Sequence, residues 1–235
     1  MSTPIQLDLN ADIGEGCAHD EELLQLVTSV NVACAFHAGD APTILHTLER
    51  ASALGVRAGA HPAFPDQEHF GRREIARSER EIFADCIYQV GAFVALARAA
   101  GHQPSHIKPH GALYNLACRD ESFAEPIVRV AELFELPIVA LPGSVLERKC
   151  EGRVRFIREG FADRRYRPDG SLVPRTEPDA LVHDPAEAVA QAGRLLRTTG
   201  IRTLCVHGDH PEAVRFVREL RSALVDQGIT LEAFG

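Results

Sequence analysis

Residues 5–16 read IQLDLNADIGEG, a short apolar strand pattern that runs directly into acidic residues and two glycines. Asp8, Asn10 and Asp12 alternate along it, and alternate residues of an extended strand face the same side. That side is therefore acidic, and it needs a bound partner to offset its self-repulsion. The glycines allow a sharp turn and expose N–H groups that suit an anion or a carbonyl oxygen. Taken alone, however, they favour a turn between strand and helix that binds nothing.

The same order of apolar strand, polar loop and helical pattern recurs along the chain. Apolar runs predict strands at 5–9, 30–36, 56–60, 106–109, 137–141, 154–161, 203–207 and, more weakly, 229–234. Helical periodicity predicts helices at about 19–28, 42–54, 78–100, 120–135, 143–150, 185–199 and 210–227. Parallel strands need such crossovers, so the alternation predicts a parallel sheet. Because no linker or repeat divides the series, we expect one domain over residues 1–235.

A closed barrel and an open doubly wound sheet both fit this alternation. Ionisable side chains follow nearly every predicted strand, and only in a barrel do all strand ends surround one mouth. We therefore predict an α/β fold, a β/α barrel of the TIM-like type. The weak last strand predicts that the barrel is irregular.

Composition excludes several classes of protein. The 235 residues are 45% hydrophobic and 25% charged, as in soluble proteins, and no run approaches the roughly 18 apolar residues of a membrane span. The net charge of −8, with scattered basic residues, argues against nucleic-acid and anionic-membrane partners. The first residues lack a basic segment followed by an apolar core, so we expect no targeting peptide and a cytoplasmic location.

The candidate functional residues lie at the predicted strand ends, which would surround one cavity in a barrel. We expect six of them to converge there as catalytic groups, namely Asp12, His37, His61, Lys108, His110 and His207. Others are expected to bind substrate, namely Asp8, Asn10, Glu15, Arg72, Arg73, Asn115, Asp163 and Asp209. Any single one is about equally compatible with a solvated loop residue or a satisfied histidine, but the set favours a shared site.

Two segments define these expectations further. A lysine inside a barrel mouth must be paired, so Lys108 serves either an aspartate of the first strand or an anionic substrate. The tandem arginines Arg72 and Arg73, in a long loop, suit bidentate recognition of carboxylate or phosphate, while a surface ion pair suits one of them equally well. The chain has no Walker loop, G-x-G-x-x-G, H-E-x-x-H or G-x-S-x-G motif. The strand-end histidines and carboxylates have donor types that a divalent metal takes, but no local ligand spacing supports a metal.

Six ordered segments resemble the LamB/YcsF family, whose members are also described as one of the subunits of 5-oxoprolinase. They are DLNADIGEG (8–16), NVACAFHAGD (31–40), GAHPAFPD with FGRRE (59–66, 70–74), HIKPHGALYN (106–115), EGFADRRYRPDGSLVPR (159–175) and CVHGDHPEAV (205–214). The resemblance implies a deformed barrel of seven strands, related to glycoside hydrolase and deacetylase barrels. It also implies two partner subunits and the opening of 5-oxo-L-proline to L-glutamate with ATP as co-substrate.

That activity suggests roles for the candidate residues. Lys108 with Arg72 or Arg73 would neutralise phosphate or the substrate carboxylate, and Asp12 or Asp8 would act as general base. One of the four histidines would protonate the departing nitrogen. Without a nucleotide-binding motif, the chain is expected to be catalytically incomplete alone.

Two other functions remain open from the sequence. The first is a stand-alone amidohydrolase or deacetylase that depends on a divalent metal held by Asp8, Asp12 and two histidines. The second is a non-catalytic subunit that presents a ligand to its partners. The family usually has other residues in place of Ala11, Ala35 and His210, but none of these departures removes a strand-end acid or base.

Overall fold

Parallel strands alternate with helices in the computed structural model, which describes residues 5–234. The strands are β1 (Ile5–Ile13), β2 (Ser29–Ala33), β3 (Arg57–His61), β4 (Pro104–Ile107), β5 (Ile138–Ala140), β6 (Phe156–Phe161), β7 (Thr203–Val206) and β8 (Ile229–Leu231). The helices are α1 (Asp20–Leu24), α2 (Ala41–Leu54), α3 (Glu79–Ala99), α4 (Gly111–Arg119), α5 (Glu121–Phe134), α6 (Val145–Cys150), α7 (Pro185–Thr199) and α8 (Ala213–Asp226). The expected domain, 1–235, includes residues 1–4 and 235, which lie outside the described residues.

The first seven strands close into a parallel barrel surrounded by helices. β1 closes the ring because it pairs with both β2 and β7, so that Asn10 lies opposite Ser29 on one side and Cys205 on the other. Strand β8 pairs with the start of β1, where Ile5 lies opposite Ile229. The predicted TIM-like barrel is confirmed, and its weak last strand lies outside the closed ring.

Helix starts follow local capping signals. The Ser78 side chain accepts a hydrogen bond from the Glu81 N–H at 3.3 Å, in a capping box that begins α3. Asp184 likewise accepts from a backbone N–H of the first turn of α7. Asp20, the first residue of α1, accepts from the Gly14 N–H at 3.0 Å. Asp20 therefore holds the glycine turn after β1 rather than its own helix.

Helix α4 was not predicted, because Pro109 and Gly111 mark a break immediately before it. Gly111 has φ of 55°, a left-handed conformation that lets the chain turn from β4 into the helix. The turn brings the first residues of α4 close to the barrel mouth. Tyr114 thereby reaches Glu159 inside the barrel, with its hydroxyl 2.9 Å from Oε2.

Helix α3 is, by length and composition alone, long and apolar enough to cross a membrane. In the fold it packs in the outer layer against α5, and Val90 and Phe93 are buried in the core. This packing accounts for its apolar composition, as it does for core helices of soluble proteins. The cytoplasmic location stays a prediction.

The barrel interior is lined by polar side chains. On β1 the buried leucines alternate with Asp8, Asn10 and Asp12, whose polar atoms meet side chains from other strands. Asn31 of β2 donates to Asn10 Oδ1 and to Asp12 Oδ1, both at 2.8 Å. Buried polar groups are stable only when hydrogen-bonded, so this network fixes the positions of the strands relative to one another.

The imidazole of His106 fills the space beside Gly59. A Cβ atom at Gly59 would lie 2.4 Å from the ring, which is closer than real contacts allow. Burial lowers the pKa of His106 to about 3, so the ring is neutral at pH 7. Its Nε2 donates to Asn31 Oδ1 at 2.6 Å, and Nδ1 pairs with the hydroxyl of Ser105 at 2.8 Å.

Asp8 is buried near the amino ends of the strands, among hydroxyl donors. Thr28 and Ser29 donate to its carboxylate at 2.6 and 2.8 Å, and Thr203 is a third donor. Burial nevertheless raises the pKa of Asp8 to about 6, with the charge of Glu159 contributing in the same direction. The folded state therefore binds this proton more tightly than the unfolded chain does.

We expect Asp8 to make stability depend on pH. Between about pH 4 and pH 6 the folded state holds more protons, so the free energy of unfolding falls as pH rises through this range. A pKa moved from 3.8 to about 6 corresponds to about 3 kcal/mol. Asp8→Asn removes the titrating group. The free energy of unfolding of the variant, relative to that of wild type, should therefore rise by about 3 kcal/mol between about pH 4 and pH 7.

Urea unfolding at about pH 4 and pH 7 measures the difference. Asp226→Asn, at the exposed end of α8, is the matched control and should parallel wild type at both pH values. A difference between wild type and Asp8→Asn that stays constant with pH contradicts the prediction.

Candidate functional site

A cavity of about 760 Å³ lies at the carboxyl ends of the barrel strands. Its size is typical of a site for a small molecule. Five of the six predicted catalytic residues line the cavity, namely Asp12, His61, Lys108, His110 and His207. The sixth, His37, lies behind the cavity wall and stacks on His110 with ring centroids 3.8 Å apart.

Lys108 is the centre of a buried ion-pair network. Its Nζ lies 2.8 Å from Glu159 Oε1, 3.1 Å from Asp12 Oδ1 and 3.3 Å from Asn10 Oδ1. These acceptors match the three protons of an ammonium group. Burial alone would lower the pKa of Lys108, but the charges of Asp12 and Glu159 hold it well above its ordinary value. Of the two roles open from the sequence, the geometry supports the ion pair.

Glu159 is a site residue that sequence reasoning missed, because it lies within the apolar pattern of β6 rather than at its end. Its carboxylate is fully buried and accepts from Tyr114 Oη at 2.9 Å and from Asn10 Nδ2 at 3.2 Å. One signal was available in the sequence. Glu159 faces the opposite side of the strand from its neighbour Arg158, so its burial requires another cation, which is Lys108.

Asp12 connects this network to the histidines. Its Oδ2 lies 3.3 Å from His61 Nε2 and 3.7 Å from His207 Nε2, while Oδ1 faces Lys108. Burial alone would raise the pKa of Asp12, but the charges of His61 and Lys108 hold it well below its ordinary value. Asp12 is therefore an ionised carboxylate that faces the cavity.

His61 Nε2 and His110 Nδ1 face each other beside Asp12 and Glu15. His61 Nδ1 donates to the backbone oxygen of Lys108 at 2.7 Å, and His110 Nε2 donates to that of Phe70 at 2.9 Å. Burial, with the neighbouring His37, lowers the pKa of His110, so its ring is neutral and carries only that one proton. His61 Nε2 and His110 Nδ1 are then 2.9 Å apart. His110 Nδ1 therefore presents a lone pair, and a proton on His61 Nε2 or a bound cation can pair with it.

The surrounding groups fit a divalent metal. Glu15 Oε1 lies 3.4 Å from His110 Nδ1 and 2.9 Å from His37 Nε2. One ligand atom from each of Glu15, His37, His61 and His110 lies within 4.8 Å of the others. His37 Nδ1 is buried without a hydrogen-bond partner among the described residues. Imidazole nitrogen with carboxylate oxygen is a donor set of zinc and similar ions.

His207 and Asp163 form a second unit on the opposite side of Asp12. Asp163 Oδ2 lies 2.8 Å from His207 Nδ1 and accepts from the His207 backbone N–H at 2.9 Å. Burial alone would raise the pKa of Asp163, but His207 holds it below its ordinary value. The imidazole packs parallel to the Phe161 ring, which fixes its plane. His207 Nε2 is thereby aimed at the cavity.

The predicted substrate-binding residues do not all reach the cavity. Asp8 and Asn10 are buried inside the barrel, and Arg73 extends to Asp66, 3.2 Å away, outside the cavity wall. Glu15, Arg72, Asn115 and Asp209 line the cavity, and Asp163 reaches it through His207. Two further lining residues, Arg164 and Arg175, belong to the loop after β6 and were not assigned a role from sequence.

Comparisons with known proteins agree with this architecture. The model of a family described as the LamB/YcsF family matches residues 7–235 of the chain. The chain is similar to the crystal structure of the lactam utilization protein from Thermus thermophilus, with 40% identity and a TM-score of 0.89. That match covers 98% of this chain and 100% of the other.

More distant similarities concern the fold alone. A family 4 carbohydrate esterase from Streptomyces lividans shares 10% identity at a TM-score of 0.59, over 100% of this chain and 95% of the other. A putative cellobiose-phosphate cleavage protein from Enterococcus faecalis shares 17% identity at a TM-score of 0.62, over 98% and 97%. The expected similarity of fold to deacetylase barrels is confirmed.

We predict that Lys108→Met lowers the free energy of unfolding by about 3 to 5 kcal/mol, because it leaves Asp12 and Glu159 buried without their cation. The double variant Lys108→Met with Glu159→Gln should recover part of this loss. Lys149→Met, which removes a surface partner of Glu121, should cost less than about 1 kcal/mol. Urea unfolding at pH near 7 measures all three, and a Lys108→Met variant as stable as Lys149→Met would rule out the ion-pair role.

A second prediction is that the chelator-treated protein binds one divalent ion through the Glu15 and histidine cluster. Titration with Zn²⁺ by calorimetry, and with Co²⁺ by visible absorption, measures this directly. His110→Gln should weaken affinity by at least about 100-fold, since losing even a group that only orients a metal ligand costs about 10- to 100-fold. His46→Gln, on the exposed side of α2, is the control. Wild-type protein without stoichiometric uptake contradicts the metal site.

Proposed function

This chain belongs to the LamB/YcsF family, and from that premise we propose that it is the hydrolytic subunit of an ATP-dependent 5-oxoprolinase. Its reaction would open the lactam of 5-oxo-L-proline to give L-glutamate. The similarity over nearly full length to a protein named for lactam utilization supports a lactam as substrate. The acids and histidines around the cavity agree with a hydrolase that acts on amide bonds.

A lactam amide is difficult to open because resonance strengthens its C–N bond and nitrogen is a poor leaving group. Transfer of the γ-phosphoryl group of ATP to the amide oxygen weakens that resonance and creates a better electrophile. Water then adds to the carbonyl carbon, the C–N bond breaks, and the nitrogen takes a proton. A second water releases the phosphoryl group as phosphate. Overall, 5-oxoproline, one ATP and two waters yield glutamate, ADP and phosphate.

The pairing of Asp163 with His207 is the observation that best supports this mechanism. Asp163 holds His207 Nδ1 at 2.8 Å and leaves Nε2 towards the cavity, as in a base or acid oriented by a carboxylate. His207 would give its Nε2 proton to the departing nitrogen. Among the four predicted histidines, His61 and His110 instead donate to backbone oxygens and face each other.

Asp12 is the better of the two aspartates proposed as general base. It lines the cavity, is ionised, and lies 3.7 Å from His207 Nε2. Asp8 is buried among hydroxyl donors at the other end of the barrel and does not line the cavity. Asp12 would therefore take the proton of the attacking water while Lys108 and Asn31 hold its other oxygen.

The cluster of Glu15, His37, His61 and His110 would hold the divalent metal. Such an ion, when bound, supplies Lewis-acid polarisation of a carbonyl or phosphoryl oxygen. The chain's own contribution is to fix the imidazoles through the backbone oxygens of Lys108 and Phe70, with their free nitrogens towards Glu15.

Two further subunits are proposed to complete the enzyme. The sequence lacks the common phosphate-binding loops, so the subunits would share the handling of ATP. The cavity of about 760 Å³ would accept the small lactam while the nucleotide approaches from a partner.

One observation favours a second candidate function. The facing ring nitrogens of His61 and His110, with Glu15 beside them, suit a metal-dependent amidohydrolase or deacetylase that works alone. In that case the ion at this cluster would replace phosphorylation as the means of activating the amide. The proposed role of His207 is the same in both reactions.

We predict little or no turnover by the isolated chain and clear 5-oxoproline-dependent ATP hydrolysis once both partner subunits are added. Glutamate and ADP formed per minute are the readouts. His207→Gln should lower the rate of the mixture by about 100-fold or more. His46→Gln, on the exposed side of α2, is the control and should leave the rate unchanged.

The alternatives give different results in the same assay. Lactam opening by the isolated chain with metal and without ATP supports the amidohydrolase. Full rates with His207→Gln and Asp12→Asn, in complexes that still assemble, support a ligand-presenting subunit.

A further inference from the structure

The loop between β6 and α7 folds across the barrel mouth and carries several arginines. Two short bridges stabilise the loop, pairing Arg164 with Leu181 and Tyr166 with Leu172. Arg165 and Arg167 are held by Glu187 and Glu177, within or beside the loop. Arg164, Arg167 and Arg175 line the cavity, as does Arg72 from the loop after β3.

Arg164 is a buried cation without a matched anion. Its residue surface is 8% exposed, and one Nη donates to the backbone oxygen of Val173 at 2.6 Å. Its Nε is buried and has no hydrogen-bond partner in the described part of the chain. Asp163 is the nearby acid, but its carboxylate is engaged by His207. A guanidinium taken out of water without such partners is costly unless a ligand supplies them.

Arg72 and Arg175 converge on a single carboxylate oxygen, Oδ2 of Asp209. Arg175 donates to it directly, and an Nη of Arg72 lies 3.6 Å away. The Arg72 guanidinium also lies 4.9 Å from the centre of the Phe70 ring, which limits its movement. Burial lowers the pKa of Arg164 to about 10, with Arg175 and Arg72 acting in the same direction. The three guanidinium groups line the same cavity, and Asp209 is the counter-charge of Arg72 and Arg175.

We propose that Arg164, Arg175 and Arg72 form an oxyanion-binding subsite at the cavity mouth, for a carboxylate or phosphoryl group of the substrates. Arginine suits this task because its planar fork binds two oxygens of such a group at once. The subsite takes over the role that the sequence suggested for Lys108 and Arg73. Lys108 is fully used by its buried acceptors, and Arg73 lies outside the cavity.

The subsite residues are close in sequence to the proposed acid–base groups, so the subsite would orient the substrate relative to them. Arg164 follows Asp163 directly in sequence, and Asp209 lies two residues after His207. In 5-oxoproline the carboxylate is attached to the carbon next to the lactam nitrogen. A carboxylate held by these arginines would bring that nitrogen towards His207. This assignment of the carboxylate rests on the proposed function, whereas the subsite itself rests on the arginines.

Binding measurements on the isolated full chain test the subsite without requiring turnover. The probes are 5-oxo-L-proline, its neutral carboxamide, inorganic phosphate and ATP, each titrated by calorimetry. Arg164→Gln and Arg175→Gln should weaken binding of the preferred anion by about 10- to 100-fold, as expected for loss of a charge-assisted hydrogen bond. Arg165→Gln, in the same loop but paired with Glu187, should stay within about 2-fold of wild type.

The choice of probes separates the two sources of the anion. Arginine-dependent binding of 5-oxoproline, with a weakly bound carboxamide, identifies the carboxylate. If phosphate and ATP bind in an arginine-dependent way, while 5-oxoproline is unaffected or does not bind, the subsite takes a phosphoryl group. The subsite then stands, but its assignment to the carboxylate of the lactam fails. Unchanged affinities in both variants, or wild-type protein that binds no probe, overturn the subsite. Arg175→Gln, in a partly exposed position, keeps the test valid if Arg164→Gln does not fold.

Discussion

The ion pairs of Lys108 hold the barrel and its site in one arrangement. A single ammonium, 2.8 Å from Glu159 and 3.1 Å from Asp12, balances two carboxylates that the fold has removed from water. Buried charges are tolerated only with good geometry and further hydrogen bonds. Asn10, Asn31 and Tyr114 supply these bonds, so strands β1, β2, β4 and β6 are tied together by one polar network.

The two carboxylate oxygens of Asp12 make different contacts, one within the buried ion-pair network and one with the histidines of the candidate site. Oδ1 faces Lys108 and Asn31, while Oδ2 faces His61 on one side and His207 on the other. The histidine cluster and the Asp163 and His207 unit are therefore not independent sites. A change in position at either unit moves the carboxylate that both units contact, which links the candidate metal centre to the candidate acid.

The sequence predicted those parts of the site that topology alone assembles. Parallel strands end at one edge, so Asp12, His61 and His207 were predictable as neighbours although they are far apart in the chain. Glu159 was missed because it points inward from the middle of a strand. Arg72 lines the cavity while its neighbour Arg73 extends to Asp66 outside it, directly after Gly71 with its left-handed φ of 63°. Loop conformations of this kind depend on tertiary contacts that periodicity does not encode.

The close fit of Gly59 against His106 restricts how this barrel can evolve. A first methyl group at position 59 would overlap the imidazole, 2.4 Å away, so the ring must be lost before the glycine can be. Losing the ring first leaves Asn31 Oδ1 and Ser105 without their partner in a buried layer. Either order of single substitutions passes through a weakened protein, so among descendants of this sequence the two positions should be inherited as a pair.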